Sequence, residues 1–225
     1  MIPTLLWRCP LCATNDALRQ VERRFRTDRL HCTHCHAEWR VRLIPGDNFY
    51  LKLVRQAIPS TTLRASLPND EYSLAVWYDR MKESLRLEPR HDPALALDPG
   101  ETLYLASGAA ELQAEASDPL FFPAPEPRRK LDKRHIEGRS AGRGRLFLTD
   151  RRLVWLGTGP VRTFPLTRLN SAYAVMDLGL ALMVERRMYT VYFFEESLLK
   201  WVTYLALVAR QVLVETRHRI ETSHF

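Results

Sequence analysis

The spacing of apolar and polar positions divides the chain into three regimes. In the first, two short candidate strands over residues 18–25 and 30–31 lie between two pairs of cysteines, with Trp7 before them and Trp39 after them as packing residues. In the second, from Pro45 to Leu97, apolar clusters are broken by Pro59, Pro68, Pro89 and Pro93, and one stretch has a helical period. Leu74, Trp77, Tyr78, Met81 and Leu85 recur at three- and four-residue steps, with Asp70 or Ser73 placed to cap them. This spacing predicts an amphipathic helix over residues 73–87 that docks on a neighbouring domain. Its outward face mixes Asp79, Glu83, Arg80, Lys82 and Arg86, unlike the basic face of a membrane-surface helix.

Beyond Pro99 the period shortens to that of strands. Apolar, β-branched and aromatic runs over residues 102–106, 110–114, 145–148, 153–156, 161–166, 171–176, 180–184 and 188–194 alternate with turn signals. The polar connection Thr149, Asp150, Arg151, Arg152 marks a hairpin at the centre of this series. A final helix begins near Glu195, Glu196 and Ser197, with Leu198, Trp201, Val202, Leu205, Val208 and Val212 as its buried stripe. Seven or so closely spaced strands followed by one helix predict a partly open antiparallel barrel capped at one end.

Composition adds two constraints. With 225 residues, of which 46% are hydrophobic, the chain is long enough for one large or two small folded domains. The net charge of +7 is concentrated: residues 128–152 hold ten Lys or Arg against three Asp or Glu, and the remaining basic and acidic residues cancel. The first residues lack the pattern of a secretory signal, and the longest apolar candidate, residues 198–214, contains Lys200 and Arg210. The expected location is the cytoplasm, with peripheral association at the inner membrane face as an extension.

All four cysteines, Cys9, Cys12, Cys32 and Cys35, fall in a C-x2-C-x19-C-x2-C pattern. Each pair puts two thiolates on one tight turn, and two such turns supply a closed tetrahedral set for Zn2+. Two disulfides are the competing use of four cysteines, but nothing points to an oxidising compartment. Iron is the competing metal. His31, His34 and His36 crowd the second pair, and a complete thiolate shell leaves them at the surface or behind the ligands. A closed shell has no open position for water or substrate, so the metal is expected to be structural. The run C-T-H-C-H-A-E-W from Cys32 to Trp39 resembles a zinc ribbon, although Ala13 and His36 stand where ribbons often have glycine.

The run GRLFLTDRRLVW from Gly144 to Trp155, followed by an apolar strand and a helix containing Trp201, resembles the GRAM-type or bacterial branch of the pleckstrin-homology (PH) superfold. The resemblance covers about residues 97–216. It implies a bent antiparallel barrel closed by a C-terminal helix, used for binding phosphoinositides, membranes or protein segments, without catalysis. It also implies an anionic-ligand site at Lys133, Arg134, Arg143 and Arg145, with Phe121 and Phe122 as candidate membrane contacts and Gly138, Gly142 and Gly144 allowing close backbone approach. The alternative for this basic stretch is a solvated insertion.

The expected whole is an α+β protein: a small zinc ribbon over 1–44, a helical linker over 45–96, and a PH-like β-barrel with a terminal helix over 97–225. No nucleotide, hydrolase or metalloprotease fingerprint is present, and no small-molecule substrate is evident, so a non-enzymatic binding or adaptor role is expected. The expected partners are an anionic lipid or membrane surface and a protein, with a purely protein-binding scaffold as the alternative. Nucleic acid ranks lower, because no aromatic residues are interleaved with the basic run.

Overall fold

The computed structural model describes residues 2–21, 28–44, 48–55, 71–83, 85–115, 138–175 and 179–222. It divides the chain into two compact units, Met1–Arg86 and Leu87–Phe225. Both are built on antiparallel sheets with helices beside them, an α+β arrangement. No helix among the described residues is long and apolar enough to cross a membrane.

The first unit runs α1 (Ile2–Leu5), β1 (Leu18–Val21), β2 (Arg29–Cys32), β3 (Glu38–Ile44), β4 (Asn48–Arg55), β5 (Glu71–Ser73) and α2 (Leu74–Glu83). Its five strands pair in sequence order. The two-residue period of a strand sends Leu30, Trp39, Val41 and Leu51 to one face, where all are buried together with Trp77 and Met81 of α2. Trp77 sets its ring edge-on to Trp39 at 6.0 Å and to Tyr72 at 5.9 Å, and its Nε1–H donates to the Leu51 carbonyl at 3.1 Å. The apolar body of the indole therefore fills the core while its polar atom stays bonded.

The expected helix forms, with Ser73 Oγ accepting from the Val76 N–H at 3.4 Å, but it ends at Glu83 rather than at residue 87. It docks on the sheet of its own unit. Residues 48–55 and 71–83, expected within a linker, add two strands and this helix to the sheet begun by the cysteine-bearing strands. A fragment the size of a bare ribbon buries too little apolar surface, and Leu51, Trp77 and Met81 enlarge its core.

The second unit continues with β6 (Leu103–Ala106), β7 (Ala110–Glu115), β8 (Gly138–Thr149), β9 (Arg152–Gly157), β10 (Arg162–Pro165), β11 (Leu169–Val175), β12 (Gly179–Val184), β13 (Arg187–Phe193) and α3 (Leu198–Thr222). The sheet order is β10-β9-β8-β7-β13-β12-β11, and β6 pairs with β8 beside β7. α3 packs against β6, β11 and β12, and buried Trp201 stacks on Phe193 at 5.0 Å. The sheet is not closed into a barrel: β10 and β11 are its two ends and do not pair with each other. The chain turns away where β10 stops at Pro165, which has no N–H to extend a ladder, and a short 3-10 turn at Leu166–Arg168 leads into β11.

The hairpin β8–β9 is buried on both faces, which explains its near-continuous apolar run. Phe147 and Val154 pack with Leu95 and Leu103 from the chain leading into the sheet, while Leu146, Leu148, Leu153 and Trp155 cover the opposite face. At the turn, Glu101 is buried with a fully covered side chain. Its carboxylate accepts from Arg152 Nε and Nη2, both at 2.7 Å, from the Thr149 hydroxyl at 2.7 Å and from the Asp98 N–H at 2.8 Å. Thr149 Oγ1 in turn accepts the Arg151 and Arg152 N–H groups at 3.1 and 2.9 Å. Burial pushes the Glu101 carboxyl up, but these partners, Arg152 first, hold it below its ordinary value of 4.5.

A depressed carboxylate contributes stability that is complete above its unfolded value and is lost as the pH falls through the folded one. Glu101→Ala leaves the Arg152 guanidinium without its buried partner and is expected to cost about 3–5 kcal/mol in chemical denaturation at pH 7. In the wild type, the contribution from Glu101 should fade only below about pH 4.5. An equal stability for both proteins at pH 7 would contradict this role.

Candidate metal centre and the basic strand

The four cysteines come together. Cys9 and Cys12 lie on the turn before β1, and Cys32 and Cys35 lie at the end of β2 and in the turn to β3. Their Sγ atoms all fall within 4.8 Å of one another, with Cys9 to Cys35 and Cys12 to Cys32 each at 3.7 Å. None is bonded to another. Four sulfurs at about 2.3 Å from one Zn2+ would have tetrahedral edges of about 3.8 Å, so the cluster has the dimensions of a four-thiolate metal site. Among the described residues, no histidine joins the group: His31 and His36 stack on each other at 5.9 Å, and His34 is exposed.

The two turns are built alike. Cys9 N–H donates to the Thr14 carbonyl at 3.0 Å and Ala13 N–H to the Cys9 carbonyl at 2.9 Å; Cys32 with Ala37, and His36 with Cys32, repeat the pair at 2.9 and 3.0 Å. The residue after each second cysteine must be left-handed to close this loop. Ala13 has φ 57° and His36 φ 56°. The positions where glycine was expected therefore keep the glycine conformation with other residues in it, at a cost of about 1 kcal/mol or more each.

Burial raises the Cys9 thiol far above its ordinary value and pushes Cys35 up to about 11. Burial also acts to raise Cys12, but hydrogen bonds with Thr14 outweigh it and hold Cys12 below the ordinary value. Cys9 and Cys35 thus favour their protonated form without a cation beside them, and a metal would displace those protons on binding.

Of the predicted basic residues, the structure brings Arg143 and Arg145 onto β8, two positions apart. Lys133, Arg134, Phe121 and Phe122 lie outside the described residues. Arg143 is exposed, its guanidinium 5.4 Å from the ring centre of Phe194, which is 50% exposed. Arg145 is occupied differently. It pairs with Asp92 at 2.6 and 3.4 Å, donates through Nε to the Ser107 carbonyl at 2.8 Å and lies 4.8 Å over the Phe147 ring. The Arg145 guanidinium first, and the Ala94 N–H second, hold the Asp92 carboxyl below its usual range.

Gly144, expected to admit a ligand, is instead closed by the protein. A Cβ there would run into the Leu156 carbonyl and the Trp155 ring. Sequence reasoning also missed Asp92 and Glu101, which carry no motif and lie 53 and 51 residues from their arginine partners.

Compared with known proteins, the chain matches no family model, no curated protein and no solved structure.

Two outcomes check the centre. The purified chain is expected to carry one equivalent of metal, and Cys32→Ser to lose it together with the fold of the first unit, read by metal analysis and near-UV circular dichroism. Ala13→Gly removes the left-handed penalty and is expected to raise stability by up to about 1 kcal/mol without changing metal content.

Proposed function

We propose that this chain is a non-catalytic binding protein. Its first unit is a ribbon held by structural Zn2+, and its second is a PH-like domain of GRAM type that recognises an anionic membrane surface or phospholipid. The zinc assignment is supported by four thiolates, which suit a soft or borderline cation, and by a left-handed residue closing each turn. Four sulfurs leave no site for water, which supports a structural rather than a catalytic metal.

The PH-like reading is supported by topology. From β7 to β13 seven strands follow one another, each antiparallel to the next except between β10 and β11, the first pairing with the last, and a helix that packs on the sheet follows at once. The observation that carries the membrane reading is Arg143, an exposed cation within the segment 128–152 whose net charge equals that of the chain, set beside the exposed ring of Phe194. A cation next to a partly inserted aromatic ring suits the headgroup region of an anionic bilayer.

A second reading, a scaffold that binds only proteins, is favoured by the edge at β11, which among the described residues pairs with no further strand. Its sequence, LNSAYAV, has no charged residue or proline to block pairing with an added strand.

Sedimentation with vesicles separates the two. Vesicles containing phosphatidylserine are expected to pellet the protein at low salt, neutral vesicles to leave it in solution, and Arg143→Ala to lower partitioning about fivefold. No pelleting at low salt would remove the membrane reading and leave the scaffold.

A further inference from the structure

The sheet of the first unit has a second face, opposite the one that carries Trp39 and Leu51. Strand register places its residues in rows. One row crosses all five strands as Val21, Arg29, Arg40, Lys52 and Glu71; another reads Arg19, His31, Glu38 and Arg55; a third reads Arg42, Tyr50 and Ser73. Six Arg or Lys thus share the face with two carboxylates. Both carboxylates are engaged, Glu38 by Arg29 at 2.6 Å and Glu71 by Arg42 at 2.6 and 3.0 Å. Arg19, Arg40, Lys52 and Arg55 are exposed and have no ion pair among the described residues.

Like charges directly opposite one another destabilise a sheet, and Arg40 faces Lys52 in this way. Such a local conflict is characteristic of a surface that serves a ligand. From this face we infer that the first unit binds single-stranded nucleic acid, with Arg40, Lys52, Arg55 and Arg19 along the phosphates and the half-buried ring of Tyr50, between Arg42 and Ser73, as a platform for a base. An excess of four cations with an aromatic ring among them matches the chemistry of sequence-tolerant strand binding.

A protein partner fits less well, because the centres of protein interfaces are depleted of charge and this face has no large apolar centre. Of the exposed apolar side chains of these strands, Val21, Leu43 and Val54, the strand period turns Leu43 to the opposite face from Arg40 and Arg42, so a bilayer would meet few apolar contacts beside the cations. The ribbon partner expected from sequence was a protein; the charge rows assign it instead to a polyanion with bases. This inference does not depend on the PH-like reading of the second unit.

The test is fluorescence anisotropy of the full chain with labelled oligothymidine of about 16 nucleotides over a salt series. Arg40→Ala with Lys52→Ala is expected to weaken binding at least tenfold and to lower the slope of log K against log salt by about 1.4. Tyr50→Leu is expected to weaken it about fivefold or more. Arg186→Glu with Arg187→Glu, a larger charge change on an exposed turn of the second unit, should leave binding within twofold. Unchanged metal content shows that the first unit remains folded in each variant.

Binding that is insensitive to Arg40 and Lys52, or equally sensitive to the turn variant, would overturn the inference. So would equal affinity for polyglutamate, or for phosphatidylserine vesicles, lost through the same pair. Those two outcomes would identify an acidic protein or a lipid surface as the occupant.

Discussion

Four sulfur atoms held within 4.8 Å of one another cannot all carry charge unless a cation lies between them. The first unit is arranged around this constraint. Two hydrogen-bonded turns, each closed by a residue in the left-handed region, face the pairs Cys9–Cys12 and Cys32–Cys35 toward a common centre, and β1 to β3 hold the turns in place. The sheet extends through β4 and β5, and α2 presses Trp77 and Met81 onto its apolar side, so the core combines a polar anchor at one end with aromatic packing along one face. Neither part is large. The paired cysteine turns fix where the strands start, and the tryptophans reward that placement.

The second unit meets a related problem, a charge in its core, with hydrogen bonds and an ion pair. The side chain of Glu101 is fully covered, and a carboxylate there is tolerated only because Arg152, Thr149 and the Asp98 amide saturate it. The same contacts close the β8–β9 turn and bind the segment before β6 to it. Leu95 and Leu103 are thereby held against Phe147 and Val154, covering a sheet face that would otherwise meet water.

Partnering of this kind decides which charges are available for binding. On β8, Arg145 is matched by Asp92, whereas Arg143 faces outward. On the sheet of the first unit, Arg29 and Arg42 are matched by Glu38 and Glu71, whereas Arg40 and Lys52 are not matched by any described carboxylate. A count of basic residues along the chain cannot make these distinctions. It gives residues 128–152 a net charge equal to that of the whole chain and the first unit fourteen basic against nine acidic residues, without saying that exposed cations of the latter fall in rows on one sheet face.

What the sequence determined by itself was local. The two-residue period places most strands of the second unit within a few residues of where they form, except β8, which begins at Gly138 rather than Arg145; the three- and four-residue steps locate α2 and α3, and the paired cysteines name their own cluster. These follow from backbone geometry, which acts between neighbours in the chain. Tertiary structure decided the rest. It assigned residues 48–55 to the sheet of the first unit, left β10 and β11 unpaired with each other at opposite ends of the second sheet, drove Ala13 and His36 into a glycine-like conformation, and matched Arg145 and Arg152 with carboxylates more than fifty residues away. Strand register and charge pairing are contacts between distant parts of the chain, and they take effect only once folding has brought those parts together.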